Sequence, residues 1–394
     1  MKKNLILVLG IAAALAAGCA KSPKEGPNDA EIRYLESWVI AQRAKHPEYL
    51  WKETTLGSYI LEDEPGTGAT IGDAETTPFV YIDYTVTDLN GTIIATSKES
   101  VSKQLGTFEY VNYYGPRAFY RKTDGLSGCL AGEDELFTGM RIGGTRKVVV
   151  PGWLLTSSRY DKPADYMKNK GQESSIYTVT MVDSAVDIGK WQTDSIEAYL
   201  RRVHPDASLD TTGKYGFYYY QITPPLDPDE EIGESEKVYI NYTGFLLNDH
   251  IFDSTDEYVC KDNHISKSEY GPVYVNWKKP EEYTSITMGS EASNLVDGFT
   301  YALSKMKRGE KGLAIFYSVW GYGINGSEPV IPPLSPIAFE IELLEKEEEA
   351  GLVSMGSRYG DEGQLTIEEF TAKIVEEIKT KQIREVVTTP VKNK

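Results

Sequence analysis

The sequence predicts an α+β protein built from two similar modules, and three features of the chain support this prediction. In segments such as 237–244, apolar residues alternate with polar ones, which is the period of a half-buried strand. In segments such as 29–45, apolar residues recur at helical spacing. Matching residues also recur 158 positions apart, as in the strand tyrosines Tyr84 and Tyr242. An internal repeat of a whole module is the simplest explanation of this offset.

The composition argues against nucleic acid as a partner. The 394 residues include 41 basic and 59 acidic side chains, which gives a formal net charge of −18 at pH 7. This charge would repel a phosphate backbone, so no nucleic-acid partner is expected. The four histidines are scattered without metal-ligand spacing, so no metal and no other cofactor is predicted.

The N-terminus, over 1–19, is predicted to be a targeting signal. Lys2 and Lys3 precede an apolar run over 5–17, whose thirteen residues are too few to span a bilayer. The run leads into Leu-Ala-Ala-Gly followed by Cys19, which resembles a bacterial lipoprotein signal. The resemblance implies cleavage before Cys19 and a lipid anchor on its thiol. The alternative is an ordinary secretory signal with an incidental cysteine.

The residues after Cys19 bear on the location of the protein. Position 20 is Ala20 rather than Asp, so the resemblance does not signal retention in the inner membrane. We therefore expect a lipid-anchored protein of the bacterial cell envelope, in the outer membrane and facing the periplasm. Residues 20–28 are rich in Lys, Ser, Pro and Gly and are predicted to be a tether.

Each module is predicted to begin with a helical lead-in. The first helix is expected over 29–45 and should stop at His46, because the following proline disfavours helix in the residue before it. Its apolar face consists of Ile32, Leu35, Val39 and Ile40. The same pattern returns over 195–203 and ends at His204, again before a proline.

The offset between the repeats sets the module boundaries at 29–186 and 187–345. Tyr114-Gly115-Pro116 recurs as Tyr270-Gly271-Pro272 after 156 residues, whereas Gly132 recurs as Gly298 after 166. The second module should therefore contain about ten extra residues between these points.

The remaining residues, 346–394, are predicted to form a charged tail with a C-terminal helix. Thr366 and Glu369 have the spacing of a capping box, and the helix should continue to about Val386. A calcium-binding loop is disfavoured here, because its first ligand would be Arg358, which cannot bind a cation.

The second module carries six short elements in a fixed order. They are Tyr242-Thr243-Gly244, Phe252-Asp253-Ser254, Gly309-Glu310-Lys311, Tyr322-Gly323, Ile331-Pro332-Pro333 and the strand Phe339 to Leu344. Together they resemble the FKBP-type peptidyl-prolyl cis-trans isomerases over about a hundred residues. The resemblance implies two FKBP-like domains, each a curled antiparallel sheet around a short helix. It also implies isomerase activity in the second module, on proline-containing unfolded or exported polypeptides.

The same resemblance implies which residues form the site. The catalytic group would be Tyr242, Asp253 and Tyr322, with the Tyr322 hydroxyl donating to a substrate carbonyl. The substrate-binding residues would be Phe252, Val296, Phe299, Ile331 and Phe339. Taken singly, each aromatic residue could be ordinary core, and Asp253 could instead cap a turn.

Two features of the second module depart from the family pattern. Phe299 stands where most active members carry tryptophan, which puts the rate in question more than the binding. An insert over 256–285 is longer than in minimal members and could cover or block the site.

The first module is predicted to keep the fold and to lack activity. The positions matching Phe252, Asp253, Phe299 and Tyr322 hold Ile94, Ala95, Glu133 and Thr156, and only Tyr84 and Tyr177 preserve the aromatic pattern. An unpaired buried carboxylate would oppose a proline ring, since its burial costs several kcal/mol.

Alternatives remain for the function and for the two internal cysteines. The protein could be a catalytically weak or inactive FKBP-like binding or chaperone lipoprotein, or an accessory protein of an outer-membrane complex. Cys129 and Cys260 are expected to be unpaired, because nothing in the sequence brings them together, although an envelope location would permit a disulfide.

Overall fold

The computed structural model describes residues 25–122, 128–205, 213–289 and 295–344. Cys19, the predicted signal and the predicted C-terminal helix lie outside these ranges. The structure divides into two units, Met1–Gly106 with Tyr114–Val186, and Thr107–Tyr113 with Asp187–Lys394. Each unit contains a seven-stranded antiparallel sheet with several helices, so the α+β prediction is confirmed.

The first unit begins with a long helix and then builds its sheet. Its elements are α1 (Asp29–Lys45), β1 (Lys52–Glu53), β2 (Tyr59–Glu64), β3 (Phe79–Asp88), β4 (Ile93–Thr96), α2 (Glu99–Leu105), β5 (Arg117–Tyr120), α3 (Ala131–Phe137), β6 (Thr145–Val150), a 3-10 turn (Gly152–Leu154), α4 (Pro163–Tyr166) and β7 (Ser175–Ala185). The strand order is β1-β2-β6-β7-β3-β4, with β5 also paired to β3.

Helix α1 has the predicted bounds but a narrower buried face. It ends where the backbone N–H of His46 donates to the carbonyl of Gln42 at 2.7 Å. Leu35 and Val39 are buried in the core, whereas Ile40 is 71% exposed, so its place on the predicted apolar face was wrong. Successive residues of an α-helix are rotated by about 100° around its axis, so Ile40, next to Val39, lies off the face that contacts the sheet.

The second unit repeats this plan. Its elements are α5 (Ile188–Val203), β8 (Phe217–Thr223), β9 (Lys237–Leu246), β10 (Ile251–Ser254), α6 (Glu257–Asp262), β11 (Val273–Asn276), a 3-10 segment (Pro280–Ser285), β12 (Thr287–Met288), α7 (Asp297–Leu303), β13 (Lys311–Phe316), a 3-10 turn (Ser318–Trp320) and β14 (Ile337–Leu343). The strand order is β12-β11-β9-β14-β13-β8, with β10 also paired to β9.

Helices cover both faces of the second sheet. Helix α5 packs Ile196, Tyr199 and Leu200 against a cluster with Leu313 and Ile315. Helix α7 packs on the alternate strand residues, in the cluster that contains Phe299 and Phe339. Because successive strand residues point to opposite faces, a single strand such as β13 contributes to both cores.

The predicted start of the lead-in helix of the second unit was wrong. Helix α5 begins at Ile188 rather than Ser195, because Asp187 caps it by accepting a hydrogen bond from the Lys190 backbone N–H at 3.0 Å. Helix α7 ends at Leu303, and Gly309 adopts a positive φ of 73° in the turn before β13.

The predicted insert over 256–285 largely belongs to the common plan of the two units. It supplies α6 and β11, which have counterparts in α2 and β5 of the first unit. The true difference lies between β11 and α7, where 20 residues replace the 10 between β5 and α3. These ten additional residues fall in the interval that the sequence repeat predicted.

Candidate functional site

Four aromatic side chains from four different elements meet in the second unit. Tyr242 comes from β9, Phe252 from β10, Phe299 from α7 and Phe339 from β14. The ring centres of Phe299 and Phe339 are 4.8 Å apart, those of Phe252 and Phe339 are 5.5 Å apart, and those of Tyr242 and Phe299 are 5.4 Å apart. All three pairs are edge-to-face, a favoured arrangement that contributes about 0.5–1.5 kcal/mol per pair.

A glycine makes this close approach possible. Gly244 on β9 is paired with Phe339 on β14 and with Asp253 on β10. A Cβ at position 244 would lie 2.6 Å from the Phe252 ring and 2.7 Å from the Phe339 ring. The third residue of the Tyr242-Thr243-Gly244 element is therefore required by the packing of the aromatic cluster.

The predicted substrate-binding residues differ in their exposure. Phe299, Phe339 and Ile331 are only 2%, 5% and 3% exposed, so they form the base of the cluster. Tyr242, Phe252 and Val296 are half-buried and pack around this base. The carbonyl of Val296 accepts hydrogen bonds from Phe299 and Thr300 at the start of α7 and is therefore already satisfied.

A polar network lies beside the aromatic cluster. The Tyr242 hydroxyl donates to Oδ2 of Asp253 at 2.7 Å, and Nζ of Lys267 pairs with Oδ1 of the same carboxylate at 2.5 Å. The Lys267 ammonium also lies 5.4 Å from the centre of the Tyr242 ring, within the range of a cation–π interaction. Asp253 therefore orients the Tyr242 ring rather than capping a turn.

Sequence reasoning missed Lys267. The available signal was its place three residues before Tyr270-Gly271-Pro272, within the segment interpreted only as an insert. Counting back three residues from the matching motif in the first sequence repeat gives Val111, so the charge is specific to the second repeat.

The two phenols of the site remain protonated at neutral pH. Burial raises the pKa of Tyr242, and the neighbouring Asp253 charge raises it further. Burial also raises the pKa of Tyr322, again with a contribution from Asp253. Tyr322 is 37% exposed, and within the described residues its hydroxyl has no hydrogen-bond partner, so it is available as a donor.

Comparison with known proteins agrees with this geometry. The family model for FKBP-type peptidyl-prolyl cis-trans isomerase matches residues 229–344. These residues are therefore similar to the FKBP family. The match covers every site residue described above, and we refer to the matched segment, 229–344, as the FKBP domain.

Several relatives are similar to the same part of the chain. The FK506-binding protein of Neisseria meningitidis serogroup B is 28% identical over 115 residues, which is 29% of this chain and 84% of that protein. FK506-binding protein 1 of Dictyostelium discoideum is 29% identical over 82 residues, which is 21% of this chain and 75% of that protein.

Two solved structures are also similar. The three FKBP domains of wheat FKBP73 have 15% identity and a TM-score of 0.26, covering 73% of this chain and 93% of that one. A peptidyl-prolyl cis-trans isomerase from Pseudomonas syringae has 22% identity and a TM-score of 0.26, covering 40% of this chain and 92% of that one.

The first unit has the same strand register but different side chains at the matching positions. Tyr84 is paired with Val179 as Tyr242 is paired with Ile341, which makes Tyr177 the counterpart of Phe339. Thr96 is paired with Thr85 as Ser254 is paired with Thr243. This register makes Ala95 the counterpart of Asp253 and Ile94, which is 60% exposed, the counterpart of Phe252.

Glu133 takes the place of Phe299 in the first unit, as the third residue of α3. Its Oε2 accepts a hydrogen bond from the Leu130 backbone N–H at 2.8 Å, and its Oε1 accepts one from the Tyr177 hydroxyl at 3.4 Å. The carboxyl is therefore partnered, which corrects the expectation of an unpaired charge. Burial nevertheless raises its pKa.

Three further features bear on the function. Within the described ranges, no group of three His, Cys, Asp or Glu side chains could hold a metal ion. None of the helices described is long and apolar enough to cross a membrane. Cys129 and Cys260 are both free and buried.

Proposed function

We propose that the FKBP domain of the second unit isomerises X–Pro bonds in proline-containing unfolded or exported polypeptides. The observation that carries this proposal is the meeting of four aromatic rings with the Tyr242–Asp253 pair and Tyr322 in a domain of this family. An aromatic cluster that served only as core would not need a carboxylate and two phenols beside it.

The reaction needs no nucleophile. The barrier to rotation about the peptide bond is about 18–20 kcal/mol and arises from amide resonance, which is lost in the twisted transition state. A site accelerates rotation when it binds the twisted amide better than either planar form. The half-buried faces of Tyr242 and Phe252, above the buried Phe299 and Phe339, offer a dry surface for the pyrrolidine ring.

The two phenols have different roles in this proposal. The Tyr242 hydroxyl is committed to Asp253, which fixes the ring that contacts the proline. The Tyr322 hydroxyl is the donor that remains for the carbonyl of a bound peptide. Holding that carbonyl while the rest of the amide turns favours the twisted geometry.

The first unit is proposed to be non-catalytic. Ala95 and Thr156 supply neither the carboxylate nor the phenol, and Glu133 places an acidic group where the second unit has the Phe299 ring. We infer that this unit serves in docking of polypeptides rather than in their isomerisation.

A proline-limited peptide assay on the full chain tests the activity. We expect acceleration over the uncatalysed rate, and a loss of about tenfold in kcat/KM for Tyr322→Phe, because one neutral hydrogen bond contributes about 0.5–1.5 kcal/mol. Phe252→Ala should also lower kcat/KM. The matched control is Ile94→Ala at the equivalent position of the first unit, which should leave the rate unchanged.

The assay also decides between the enzyme and a binding or chaperone protein. The observation that favours binding alone is Phe299, which is smaller than tryptophan and lacks its N–H donor. If the protein prevents aggregation of an unfolded client without accelerating isomerisation, and both variants retain this property, the isomerase proposal is wrong. The accessory role in an outer-membrane complex would then be tested by co-purification of the protein with envelope complexes.

The lipid anchor and the outer-membrane location are separate proposals. They rest on the resemblance of residues 1–19 to a lipoprotein signal, with Cys19 as the lipidated residue. Two acyl chains would hold the protein at a membrane, since each buried methylene contributes about 0.8 kcal/mol. Mass spectrometry of the N-terminal peptide should show the lipid, and Cys19→Ala should release the protein from the membrane fraction. An unmodified Cys19 would contradict the proposal.

A further inference from the structure

The segment Thr107–Tyr113 belongs to the second unit although it comes from the first half of the chain. In sequence it connects α2 to β5, yet the structure groups it with residues from Asp187 onwards. It contains no regular helix or strand, and it includes three aromatic residues, Phe108, Tyr110 and Tyr113. We call this segment the strap.

The first contact of the strap is made by its last residue. The backbone N–H of Tyr113 donates to the carbonyl of Pro329 at 3.0 Å. The Tyr113 side chain is half-buried and packs against the cluster that contains Phe299, Phe339 and Ile331. Pro329 stands two residues before Ile331, which forms part of the base of the site.

The second contact is with His250, two residues before Phe252. Nε2 of His250 lies 3.2 Å from the carbonyl oxygen of Val111, and the His250 ring meets the Tyr113 ring edge-to-face with centres 6.1 Å apart. Burial lowers the pKa of His250, so the ring is neutral at pH 7 and donates through Nε2 to this carbonyl.

The third contact is with His264, three residues before Lys267. The rings of Tyr110 and His264 are stacked with centres 3.8 Å apart and an angle of 23° between their planes. His264 lies just after the end of α6, on the segment that delivers Lys267 to Asp253.

The three contacts therefore fall on the three segments that carry Phe252, Ile331 and Lys267. These segments are β10, the residues before β14 and the residues after α6. The Asp253–Lys267 pair and the hydrogen bond from Cys260 Sγ to the Ser254 carbonyl already join β10 to the α6 segment, and the strap adds contacts to all three. Such loops belong to the least stable parts of a structure unless further contacts hold them. The strap supplies a backbone hydrogen bond, an imidazole hydrogen bond and an aromatic stack to this set.

The strap does not close the site. Tyr322 remains 37% exposed, and the strap contacts given above are made to Pro329, His250 and His264 rather than to the polar groups of Tyr242, Asp253 and Lys267. Most of the strap contacts are made to residues that neighbour the site residues in sequence. The exception is Tyr113, whose side chain packs directly on the aromatic cluster.

We propose that the strap, through Tyr110, Val111 and Tyr113, positions the rim of the isomerase site for the twisted amide. The proposal rests on the isomerase function proposed above. Displacement of catalytic supports by about 1 Å can cost about a hundredfold in rate, so a loosened rim should be visible in kinetics. Tyr110 and Tyr113 are positioning residues and do not themselves contact the reacting bond.

The test compares the full chain with the double variant Tyr110→Ala/Tyr113→Ala. We expect kcat/KM on a short prolyl peptide to fall about fivefold or more, with most of the loss in kcat, because the rim acts on the transition state. Amide hydrogen exchange should rise at 246–252, 260–267 and 327–331. The double variant Tyr110→Phe/Tyr113→Phe retains both rings and should behave as the wild type.

The matched control is Tyr34→Ala, which removes a tyrosine that is 47% exposed on α1, outside the strap. It should leave kinetics and exchange unchanged. The proposal is overturned if the alanine double variant shows unchanged kcat/KM, or if kcat/KM rises, which would make the strap an inhibitor. It is also overturned if exchange in the three rim segments does not change.

A failure of the isomerase function gives a different result. In that case the wild-type chain itself would not accelerate isomerisation. The role of the strap would then be tested by measuring the Kd for the same peptide. The alanine double variant should then raise Kd with increased exchange at the rim, and an unchanged Kd would overturn the role of the strap at this site.

Discussion

The carboxylate of Asp253 joins Tyr242 and Lys267, accepting the phenol hydrogen bond at 2.7 Å and pairing with the ammonium at 2.5 Å. The three residues come from β9, β10 and the segment after α6, so the network links three parts of the second unit. In the first sequence repeat the matching positions hold Tyr84, Ala95 and Val111, so only the tyrosine is kept. The Asp253–Lys267 pair is therefore a feature that distinguishes the second repeat from the first.

Lys267→Met should weaken both the site and the unit. The variant keeps most of the side-chain volume but leaves Asp253 with only the Tyr242 hydrogen bond. We expect a loss of about 1 kcal/mol in the free energy of unfolding, because the pair is partly exposed, and a several-fold loss in kcat/KM. Chemical denaturation and the peptide assay measure these effects. Lys261→Met is the control, because Lys261 pairs with Glu257 on α6, away from Asp253.

Gly244→Ala should push the aromatic cluster apart. The added Cβ would meet the rings of Phe252 and Phe339 at 2.6 and 2.7 Å, and overpacking of this kind typically costs about 1–3 kcal/mol. The melting temperature of the second unit and kcat/KM should both fall. The matching position of the first unit is Val86, so Val86→Ala removes volume there instead and should not affect kcat/KM. Full activity in Gly244→Ala would show that the rings need not lie this close.

Glu133→Gln should stabilise the first unit above neutral pH. Burial raises the pKa of Glu133, so the folded state holds a proton at pH values where the unfolded carboxyl has lost it. The stability linked to this proton is fully present below the unfolded pKa of about 4.5 and is lost as the pH rises through the folded pKa. Chemical denaturation at pH 5 and at pH 8 should therefore show that the free energy of unfolding falls less between these pH values in Glu133→Gln than in the wild type. An equal decline in the free energy of unfolding of the wild type and of Glu133→Gln would contradict a raised pKa of Glu133.

The two internal cysteines should resist alkylation in the folded protein. Burial raises the pKa of the Cys129 thiol to about 12 and also raises that of Cys260, so neither thiolate is populated at pH 8. Peptide mass spectrometry after iodoacetamide treatment should find both thiols unmodified, and both should react after unfolding in guanidinium. Rapid labelling of the native protein at either position would contradict the burial described here.

The repeat could be predicted because matching residues recur at a constant offset, and the aromatic positions were implied by the resemblance to the FKBP family. The offset of 158 relates Tyr84 to Tyr242, and the strand register of the two sheets preserves this relation. The ten additional residues of the second unit could be counted from Gly132 and Gly298 without knowledge of the sheet.

The missed features depend on contacts between distant segments. Lys267 reaches Asp253 because α6 turns the chain back towards β10, and a single lysine outside a regular helix or strand has no periodicity that would reveal this. The partners of Glu133 could not be predicted either, since the Leu130 N–H is free only because α3 begins there. The start of α5 was missed because its first turn carries Gly189 and few apolar residues, and Asp187 was not recognised as a cap.

The covering of the second sheet on both faces limits how the FKBP domain can be cut out of the chain. The family match begins at residue 229, after α5 and β8, yet α5 covers Leu313 and Ile315 and β8 is hydrogen-bonded along β13. A fragment starting at 229 would expose these side chains to water and leave β13 as an open sheet edge, which favours aggregation. Expression of the second sheet with its helices should therefore start before Asp187, so that the helix cap, the helix and the edge strand are all retained.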